Sequence, residues 1–226
     1  MKRFLDVLLS LLAIIFLSPL MLIICLIIIC DDGLPVVFRQ NRVGKGDELF
    51  KIKKFRTMKN GAPNLSTADF EQSDEFITRS GKFLRRTSLD ELPQLFNILK
   101  GDMSFVGPRP ELLLYTTQYT KAQECILWVR PGITDRSSIV YIAQDEIVGT
   151  ENPVENFEKY ILPEKNRLRV EYALHQSFPL DVELFFETIG GVFGKAKKMA
   201  DEKHEQGAKA VSYTHLRAHE TSLHLV

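Results

Sequence analysis

The sequence predicts an α+β protein, in which a small domain of helices and a β-hairpin follows an N-terminal membrane helix. The first thirty residues are strongly apolar, two short strand-like runs joined by a glycine-containing turn come next, and amphipathic helical patterns recur in the remainder. A chain of 226 residues accommodates one domain of about 150 to 200 residues plus an appendage. We expect a membrane helix over residues 1–30, one folded domain over 31–199 and a tail over 200–226.

Charge and cysteine content narrow the function classes. The chain carries 29 basic and 29 acidic residues, so its net charge of zero gives no global reason to expect nucleic acid or an acidic partner. Its cysteines, Cys25, Cys30 and Cys125, are odd in number and lack CxxC spacing. This pattern suits a reducing compartment and argues against a disulfide scaffold or a zinc knuckle.

The run from Val7 to Cys30 contains 24 residues without a charge. It exceeds the roughly eighteen residues that indicate a membrane helix. Lys2 and Arg3 precede it as in a signal peptide, but the run is too long for one and no small-x-small cleavage site follows. At about 1.5 Å per residue the run can cross the hydrocarbon core, so a spanning helix is one interpretation.

A helix that enters the membrane and returns is the other interpretation. Ser18-Pro19 divides the run into halves of eleven residues, and proline removes one backbone hydrogen bond there and kinks the helix. The Ser18 hydroxyl or a neighbouring element can satisfy the freed carbonyl. Basic residues flank both ends, which draws both ends toward the cytoplasm: Lys2 and Arg3 before the run, and Arg39, Arg42 and Lys45 after it. Both interpretations stay open on physical grounds.

A β-hairpin is predicted directly after the apolar run. Its strands are Val36 to Phe38 and Leu49 to Phe55, and residues 43–47 form a glycine-containing turn. Between Arg39 and Lys59 there are eight basic residues against two acidic ones. The excess indicates either a surface that faces solvent or anionic lipid, or a phosphate-binding role.

Helical patterns dominate the rest of the folded domain. A helix over residues 90–100 would place Leu92, Leu95, Phe96 and Leu99 on one face, and Gly101 would end it. Further segments are predicted as follows: helices over 111–127 and 163–176, the second with Pro163 in its first turn, a short strand over 139–142, and a surface loop over 60–76.

A C-terminal helix is predicted over residues 181–199. An apolar stripe follows it: Val182, Phe185, Phe186, Ile189, Val192 and Phe193. Such a stripe either faces the core or lies in the plane of a membrane as an amphipathic interfacial helix. In the tail, His215 and His219 have the spacing of a helical metal pair but no further ligand set, and residues 211–220 resemble a cloning remnant.

The run Ser88-Leu89-Asp90-Glu91-Leu92-Pro93 carries the most informative chemistry. In one interpretation Ser88 and Glu91 form a capping box, but Pro93 would then stand at the fifth helical position, where its missing N–H is needed. If the helix starts at Asp90, that loss costs nothing, and two adjacent carboxylates stand at the positive end of a helix dipole. Such a pair can bind a divalent cation, attack phosphorus, or do both.

Basic residues occur on both sides of this helix in the sequence. They are Lys54, Arg56, Arg85, Arg86 and Arg109. Pyrophosphate chemistry needs this mixture, because Mg²⁺ and basic side chains spread charge off the phosphate oxygens while a carboxylate serves as nucleophile or metal ligand. No P-loop or GxGxxG motif competes for the role.

Five motifs occur in order over residues 1 to about 195: Gly33 to Gly44, Lys54 to Met58, Arg85 with Thr87 to Leu95, Gly101 to Pro110, and Arg130 to Thr134. Together they resemble the bacterial sugar transferase family, the monotopic phosphoglycosyl transferases. The resemblance implies a re-entrant helix broken at Ser18-Pro19, and a catalytic dyad of Asp90 and Glu91 that works with Mg²⁺. It places the protein at the cytoplasmic face of the bacterial inner membrane.

The resemblance also implies a reaction that initiates a bacterial surface glycan. Asp90 would attack the β-phosphate of a UDP-sugar, UMP would leave, and the phosphosugar on Asp90 would pass to undecaprenyl phosphate, a polyprenyl phosphate. Glu91 would help to hold Mg²⁺, while Lys54, Arg85 and Arg109 would bind phosphates. After Thr134 many relatives continue with glycine and a Gln-Val pair, whereas this chain continues with Asp135. The sugar-facing contacts are therefore open.

A second function class is a membrane-anchored scaffold that binds anionic lipid without catalysis. It would need only the apolar helix and the basic hairpin, and it leaves Asp90, Glu91 and the Gly107-Pro108-Arg109-Pro110 loop without a role. Release of UMP from a UDP-sugar separates the two classes. The partners expected of the enzyme are the sugar nucleotide, the polyprenyl phosphate and membrane lipid, with no nucleic acid.

Overall fold

A helix of 31 residues, α1 (Lys2–Asp32), opens the chain and continues through Pro19. In the computed structural model, which describes residues 1–62, 76–141, 152–191 and 194, it is the one helix long and apolar enough to cross a membrane. Pro19 has no N–H for the Ile15 carbonyl, and the Ser18 hydroxyl donates to that carbonyl at 2.8 Å instead. The compensation predicted for Ser18 is confirmed.

The N-terminal end of α1 is bonded to the folded domain. Lys2 pairs with Asp181 at 2.8 Å. The Asp6 carboxylate is buried, although it stands in an apolar helix, and accepts a hydrogen bond of 3.0 Å from the Ser104 hydroxyl. Arg3 donates to the Leu99 carbonyl at 2.9 Å.

The C-terminal end of α1 is bonded to the same domain. Asp31 accepts from the Ser80 hydroxyl at 2.7 Å, and Asp32 pairs with Arg56 at 3.3 Å. Between the two ends, Ile24 and Ile28 are buried against the domain, whereas Phe16 is 83% exposed. The helix therefore lies along the domain by one face and presents an apolar face outward.

The predicted β-hairpin is confirmed and its first strand is longer than expected. Strands β1 (Val37–Val43) and β2 (Leu49–Phe55) pair antiparallel around a 3-10 turn at Lys45–Asp47. Residues 39–42 have polar side chains, but their backbone groups pair with β2, so they belong to the strand. On β2, Phe50, Ile52 and Phe55 face the core.

Two short helices flank the predicted dyad. Helix α2 (Arg79–Arg86) begins at Thr78, whose hydroxyl accepts the Gly81 N–H, and α3 (Gln94–Lys100) ends at Gly101, which has a positive φ of 106°. Between them lies a 3-10 turn, Leu89–Glu91. The single helix predicted over 90–100 is thus wrong at its start, because Pro93 is the N-cap of α3 and a tighter turn precedes it.

The predicted apolar face of α3 is also partly wrong. Leu95 and Ile98 are buried, but Phe96 is 39% exposed. The Lys53 ammonium covers its ring at 5.7 Å from the centroid. The pattern misses three buried positions of α3, namely Ile98 and the two amides Gln94 and Asn97.

Strands β3 (Ser104–Val106) and β4 (Gly132–Thr134) form a small parallel pair that the sequence analysis did not predict. Two glycines allow this contact, since a Cβ on Gly107 would meet the Arg130 carbonyl and one on Gly132 would meet the Gly107 backbone. The glycines of the Gly107-Pro108-Arg109-Pro110 loop and of the Pro131-Gly132 turn therefore pack on each other.

The segment after this loop contains less helix than predicted. Residues 111–127 hold only α4 (Leu113–Thr116) and the first part of a 3-10 helix, Glu124–Trp128. Thr116 and Thr117 bond their hydroxyls to carbonyls three residues back, a competition that weakens regular helix. The strand predicted over 139–142 is wrong at its described residues, because Arg136–Val140 forms helix α5 behind an Asp135 cap.

Three helical segments complete the first compact unit, Met1–Thr188. After α6 (Pro153–Asn156) and a π-helical turn (Phe157–Ile161), α7 (Leu162–His175) confirms the helix predicted over 163–176 with Pro163 in its first turn. Helix α8 covers residues 178–191, of which 178–188 belong to this unit. The second unit starts at Ile189, and its described residues are 189–191 and 194.

The apolar stripe predicted near the C-terminus divides between core and surface. Phe185 is half-buried and meets the Phe105 ring edge-on at 6.0 Å, whereas Val182 and Phe186 are exposed. Leu184, outside the stripe, is fully buried. Residues 192 and 193, most of the predicted loop 60–76, and the tail with its histidine pair lie outside the described residues.

The core consists of several neighbouring clusters around the hairpin and α3. The central one joins both elements to the middle of α1: Phe50, Ile52, Leu95, Ile98 and Met103, with Ala13, Ile14 and Leu17 against them. A second cluster joins the end of α1 to α2 through Ile24, Ile28, Phe55 and Leu84. The α+β class with an N-terminal apolar helix is confirmed.

Candidate active site

Asp90 and Glu91 lie in the 3-10 turn between α2 and α3, close to the end of β2. Ser88, which precedes the turn, has a left-handed backbone with φ of 56° and makes no side-chain cap bond. The capping-box interpretation is therefore wrong, because the Glu91 carboxylate is bonded elsewhere. Asp90 is only 8% exposed, and the Glu91 side chain is 18% exposed, so both carboxylates have limited contact with bulk water.

Lys54 and Arg109 converge on Glu91 from two different elements. Lys54, on β2, donates from Nζ to Glu91 Oε1 at 2.9 Å and stands 4.0 Å from Asp90 Oδ2. Arg109, in the loop after β3, places Nη1 3.2 Å from Glu91 Oε2 and its Nη2 on Oε1. The guanidinium and the carboxylate thus meet as a two-pronged pair.

Arg85 approaches the dyad from α2. Its Nε donates to the Thr57 hydroxyl at 2.8 Å, which orients the guanidinium, and its charge acts to lower the pKa of Asp90. The structure therefore brings together all five predicted site residues: Asp90, Glu91, Lys54, Arg85 and Arg109. Thr57 is a supporting residue that the sequence analysis missed, and its place in the Lys54 to Met58 motif was the available signal.

Two other basic residues predicted near the dyad serve different purposes. Arg56 donates from Nη2 to the carbonyls of Asp32 and Gly33, at 3.0 and 2.7 Å, and so holds the end of α1. Arg86 is exposed on α2. Arg56 lies just beyond β2, which ends at Phe55, so the alternation of the strand does not fix its direction relative to Lys54.

The pKa values of the two carboxyl groups are shifted in opposite directions. Burial raises the pKa of Asp90, and the neighbouring Glu91 charge adds to this against the lowering effect of Lys54. Burial also acts to raise the pKa of Glu91, but the charges of Arg109 and Lys54 and their hydrogen bonds outweigh it and hold that pKa far below its usual range. Glu91 is a fixed anion, and Asp90 is the less stabilised carboxylate of the two.

A buried ionic network supports the Arg109 loop from behind. The Asp135 carboxylate accepts the Arg109 backbone N–H at 3.3 Å and lies 3.6 Å from Arg169 Nε. Arg169 is 1% exposed and pairs with Glu111 at 2.7 Å, and Arg42 approaches Glu111 at 3.8 Å. The sequence analysis missed this network, because its members are spread over more than 120 residues of the chain.

The donor set at the dyad fits a cation that shares its ligands with a substrate. Mg²⁺ is usually held by one or two carboxylates together with phosphate oxygens and water. In the described part of the chain, no group of three or more acidic, histidine or cysteine side chains is arranged as a metal site. The carboxylate of Asp90 is the less engaged of the pair, since the Glu91 oxygens already accept from Lys54 and Arg109.

Comparison with known proteins agrees with this chemistry. The family model for the bacterial sugar transferase matches residues 1–195. UDP-N-acetylgalactosamine-undecaprenyl-phosphate N-acetylgalactosaminephosphotransferase of Aeromonas hydrophila is 38% identical over 191 residues, which cover 83% of this chain and 42% of that protein. UDP-glucose:undecaprenyl-phosphate glucose-1-phosphate transferase of Escherichia coli K12 is 35% identical over 192 residues, or 84% of this chain and 39% of that protein.

A shorter relative matches over a larger share of its own length. The exopolysaccharide production protein ExoY of Sinorhizobium fredii is 38% identical over 148 residues, which cover 59% of this chain and 66% of that protein. The chain spans about two fifths of the length of the Aeromonas and Escherichia relatives.

Proposed function

Because the chain belongs to the bacterial sugar transferase family, we propose that it transfers a sugar-1-phosphate from a UDP-sugar to undecaprenyl phosphate and releases UMP. The observation that carries the proposal is the pair Asp90-Glu91, in which Glu91 is neutralised by Lys54 and Arg109 while Asp90 is left for chemistry. The printed names of the relatives describe this donor and acceptor chemistry for those proteins.

We propose a covalent route in two displacements. A carboxylate oxygen of Asp90 forms a bond to the β-phosphorus of the UDP-sugar, and the bond from that phosphorus to the bridging oxygen breaks, so that UMP leaves with the electron pair. An oxygen of the lipid phosphate then attacks the same phosphorus, and the acyl phosphate bond to Asp90 breaks. The product is a diphosphate that joins lipid and sugar, and Asp90 is restored as a carboxylate.

The surrounding charges suit each step. Lys54 and Arg109 can pass part of their hydrogen bonding from Glu91 to the phosphate oxygens as negative charge develops there, and Arg85 adds a third positive charge. Glu91 keeps the two basic side chains in place between turnovers, because an ion pair in a buried site holds both partners in one geometry. Burial of Asp90 strips water from the nucleophile.

Mg²⁺ is part of this proposal. Asp90, with Glu91 in a shared role, would hold the ion, and the substrate's phosphates would supply further oxygen ligands. The ion would neutralise charge on the phosphates and on the departing UMP. The observation in favour is the donor set itself, two adjacent carboxylates beside a phosphate-binding group of basic side chains.

We further propose that α1 dips into the membrane and returns, so that the protein stays on the cytoplasmic face of the inner membrane. Both ends of α1 are bonded to one domain, Lys2 to Asp181 at one end and Asp31 to Ser80 at the other. Attachment of both helix ends to the same polar domain supports a topology in which both ends stay on one side of the bilayer. Ser18 and Pro19 lie on the exposed apolar face, at its midpoint.

The exposed apolar residues of α8 support membrane contact at the interface. Val182 and Phe186 are 40% and 64% exposed, while Asp181 in the same helix is buried against Lys2. This arrangement ties the start of α1 to a helix whose outer face is apolar. The arrangement supports our proposal of an in-plane amphipathic helix beside the membrane-inserted one.

Release of UMP is the test of the reaction. The full chain in lipid nanodiscs is incubated with Mg²⁺, undecaprenyl phosphate and each of a panel of UDP-sugars, and UMP is quantified. With at least one donor we expect repeated turnover, with UMP and a lipid-linked sugar diphosphate, when the acceptor lipid is in excess. Without the lipid, at most one UMP per protein should be released. A scaffold that binds anionic lipid would release none with any donor, and that result would overturn the proposal.

A further inference from the structure

Two buried amides lie three residues apart on α3, and they differ in how their polar groups are used. Asn97 is fully buried and makes three side-chain hydrogen bonds: it accepts from the Lys53 N–H at 3.0 Å and donates to the Lys51 carbonyl at 2.9 Å and to Asp102 at 3.1 Å. These bonds fasten α3 to β2. Asn97 has an evident structural role.

Gln94 is fully buried as well, but its carboxamide has no such role. Among the residues that the structure describes, neither its Oε1 nor its Nε2 has a hydrogen-bond partner. The other buried side-chain atoms without a hydrogen-bond partner in the described residues are single arginine nitrogens. Arg42 and Arg169, for example, make contacts through their other nitrogens. Gln94 is thus the described residue whose whole polar group is buried without a protein partner.

This burial carries a cost that the folded protein does not recover by itself. A buried amide without hydrogen bonds destabilises the folded protein, and an apolar side chain of the same shape avoids that cost. Such a group in a folded protein calls for a functional explanation.

The position of Gln94 indicates where its hydrogen bonds are made. It follows Glu91 by three residues and Asp90 by four. The N–H groups of Leu92 and Leu95 each bond the carbonyl three residues back, so the backbone stays helical through this region. Residues at these spacings are neighbours on one side of a helix. Because helical side chains lean toward the N-terminus, this spacing directs the Gln94 side chain toward the turn that carries the dyad.

We propose that Gln94 is a third catalytic residue, whose carboxamide N–H donates to an oxygen of the phosphoryl group that Asp90 accepts. The inference rests on the proposed function and extends it. A neutral donor suits this place, since Lys54 and Arg109 already neutralise Glu91 and a further cation would compete with the metal. The hydrogen bond is made only when phosphorus is bound, and for that reason the free protein leaves the amide without a partner.

Gln94→Met separates this role from a structural one. Methionine matches glutamine in length and in helix propensity but has no N–H donor. We expect a melting temperature equal to or above that of the wild-type protein, while UMP release slows by about 100-fold, the usual effect of removing one donor to a transition-state oxyanion. The loss should fall on kcat more than on KM, because the bond strengthens as charge develops.

Two further variants complete the test. Gln94→Glu keeps the acceptor oxygens and loses the N–H donor, so it should be as slow as Gln94→Met. Asn97→Leu removes three satisfied bonds from the same helix, and it should lower the melting temperature. Asn97→Leu is the control: it shows whether loss of a buried amide from α3 is detected as a lower melting temperature.

The outcomes are distinct. Wild-type turnover in Gln94→Met, or recovery of turnover in Gln94→Glu, would overturn the inference and leave the proposed function standing. A lowered melting temperature in Gln94→Met would also overturn it, because it would mean that the amide already has a stabilising partner. Failure of the wild-type protein to release UMP would remove the proposed function, and this inference with it.

Discussion

Arg109 holds Glu91 with two nitrogens, Nη1 reaching Oε2 at 3.2 Å while Nη2 bonds Oε1. The pair joins the loop after β3 to the turn that carries the dyad. It also explains why the pKa values of the two adjacent carboxyl groups differ. The basic side chains neutralise the charge of Glu91 more fully than that of Asp90. The division of labour within the dyad follows from this one contact.

Arg109→Lys should therefore impair turnover although it keeps the charge. An ammonium cannot engage both carboxylate oxygens in the fork geometry of a guanidinium. We expect kcat/KM for UMP release to fall by about 10- to 100-fold with little change in melting temperature. A double-mutant cycle with Glu91→Gln should reveal a coupling of about 1 to 3 kcal/mol in the activation free energy. Additive effects would mean that the two residues act independently.

The raised pKa of Asp90 predicts an acidic limit to activity. A carboxylate attacks phosphorus only when ionised, so kcat/KM should fall as the pH drops through the Asp90 pKa, which burial raises above its ordinary value. Lys54→Met removes a charge that lowers this pKa, and the limit should move to higher pH. Glu91→Gln removes a charge that raises it and frees two cations, and the limit should move to lower pH.

The control for the pH experiment is Lys100→Met. Lys100 pairs with Asp102 at 3.1 Å on the exposed end of α3, away from the dyad. Its loss should leave the profile unchanged. Identical profiles for the Lys54 and Lys100 variants would contradict the assignment of the acidic limit to Asp90.

The ionic network behind the loop should be costly to break. Asp135→Ala leaves Arg169 buried beside one carboxylate fewer, and removal of one partner from a buried pair costs about 3 to 5 kcal/mol of unfolding free energy. Chemical denaturation measures the loss. Glu164→Gln breaks an exposed pair with Arg167 on α7 and should not change the denaturation midpoint. Equal effects of the two substitutions would show that the network contributes nothing special.

The same network predicts a loss of stability at low pH. Burial acts to raise the pKa of Asp135, but Arg169 and the Ser137 and Ser138 hydrogen bonds lower it below its ordinary value. A depressed folded-state pKa contributes stability above the unfolded pKa and loses it as the pH falls through the folded one. We expect the midpoint of denaturation to fall below about pH 4, and by less in Asp135→Asn.

The topology of α1 can be tested by cysteine labelling in intact cells. In a background where Cys25, Cys30 and Cys125 are replaced by serine, one cysteine is added before Met1 and another is introduced as Lys59→Cys near the other end of α1. A membrane-impermeant maleimide should label neither site until the cells are permeabilised. Labelling of only the N-terminal site in intact cells would show that α1 spans.

Much of this arrangement could be predicted from sequence because it rests on local signals. The length and apolarity of α1, the glycine turn of the hairpin and the Pro163 helix start each depend on a few adjacent residues. Three of the five motifs contain the candidate site residues, which lie around the dyad in the structure: Lys54, Arg85, Asp90, Glu91 and Arg109. The Ser18 bond to Ile15 follows from the missing N–H of Pro19 alone.

The parts that could not be predicted depend on contacts distant in sequence. The β3–β4 pair joins segments 28 residues apart through two glycines, and its three-residue strands have no periodicity to detect. Gln94 was passed over because a polar residue in a helix is normally exposed, so the pattern placed Phe96 on the core face instead. Arg56 was grouped with the phosphate-binding residues because the sequence gives its charge but not its contacts with the carbonyls at the end of α1.

The central claim is that Asp90 forms a covalent bond to phosphorus, and trapping of that adduct tests it most directly. The purified chain is incubated with a UDP-sugar labelled in the β-phosphate, without acceptor lipid, and protein-bound label is measured before and after addition of undecaprenyl phosphate. We predict label on the wild-type chain that the lipid removes, and none on Asp90→Asn, which should keep its fold. Turnover by Asp90→Asn, or wild-type turnover without any protein-bound label, would contradict the account.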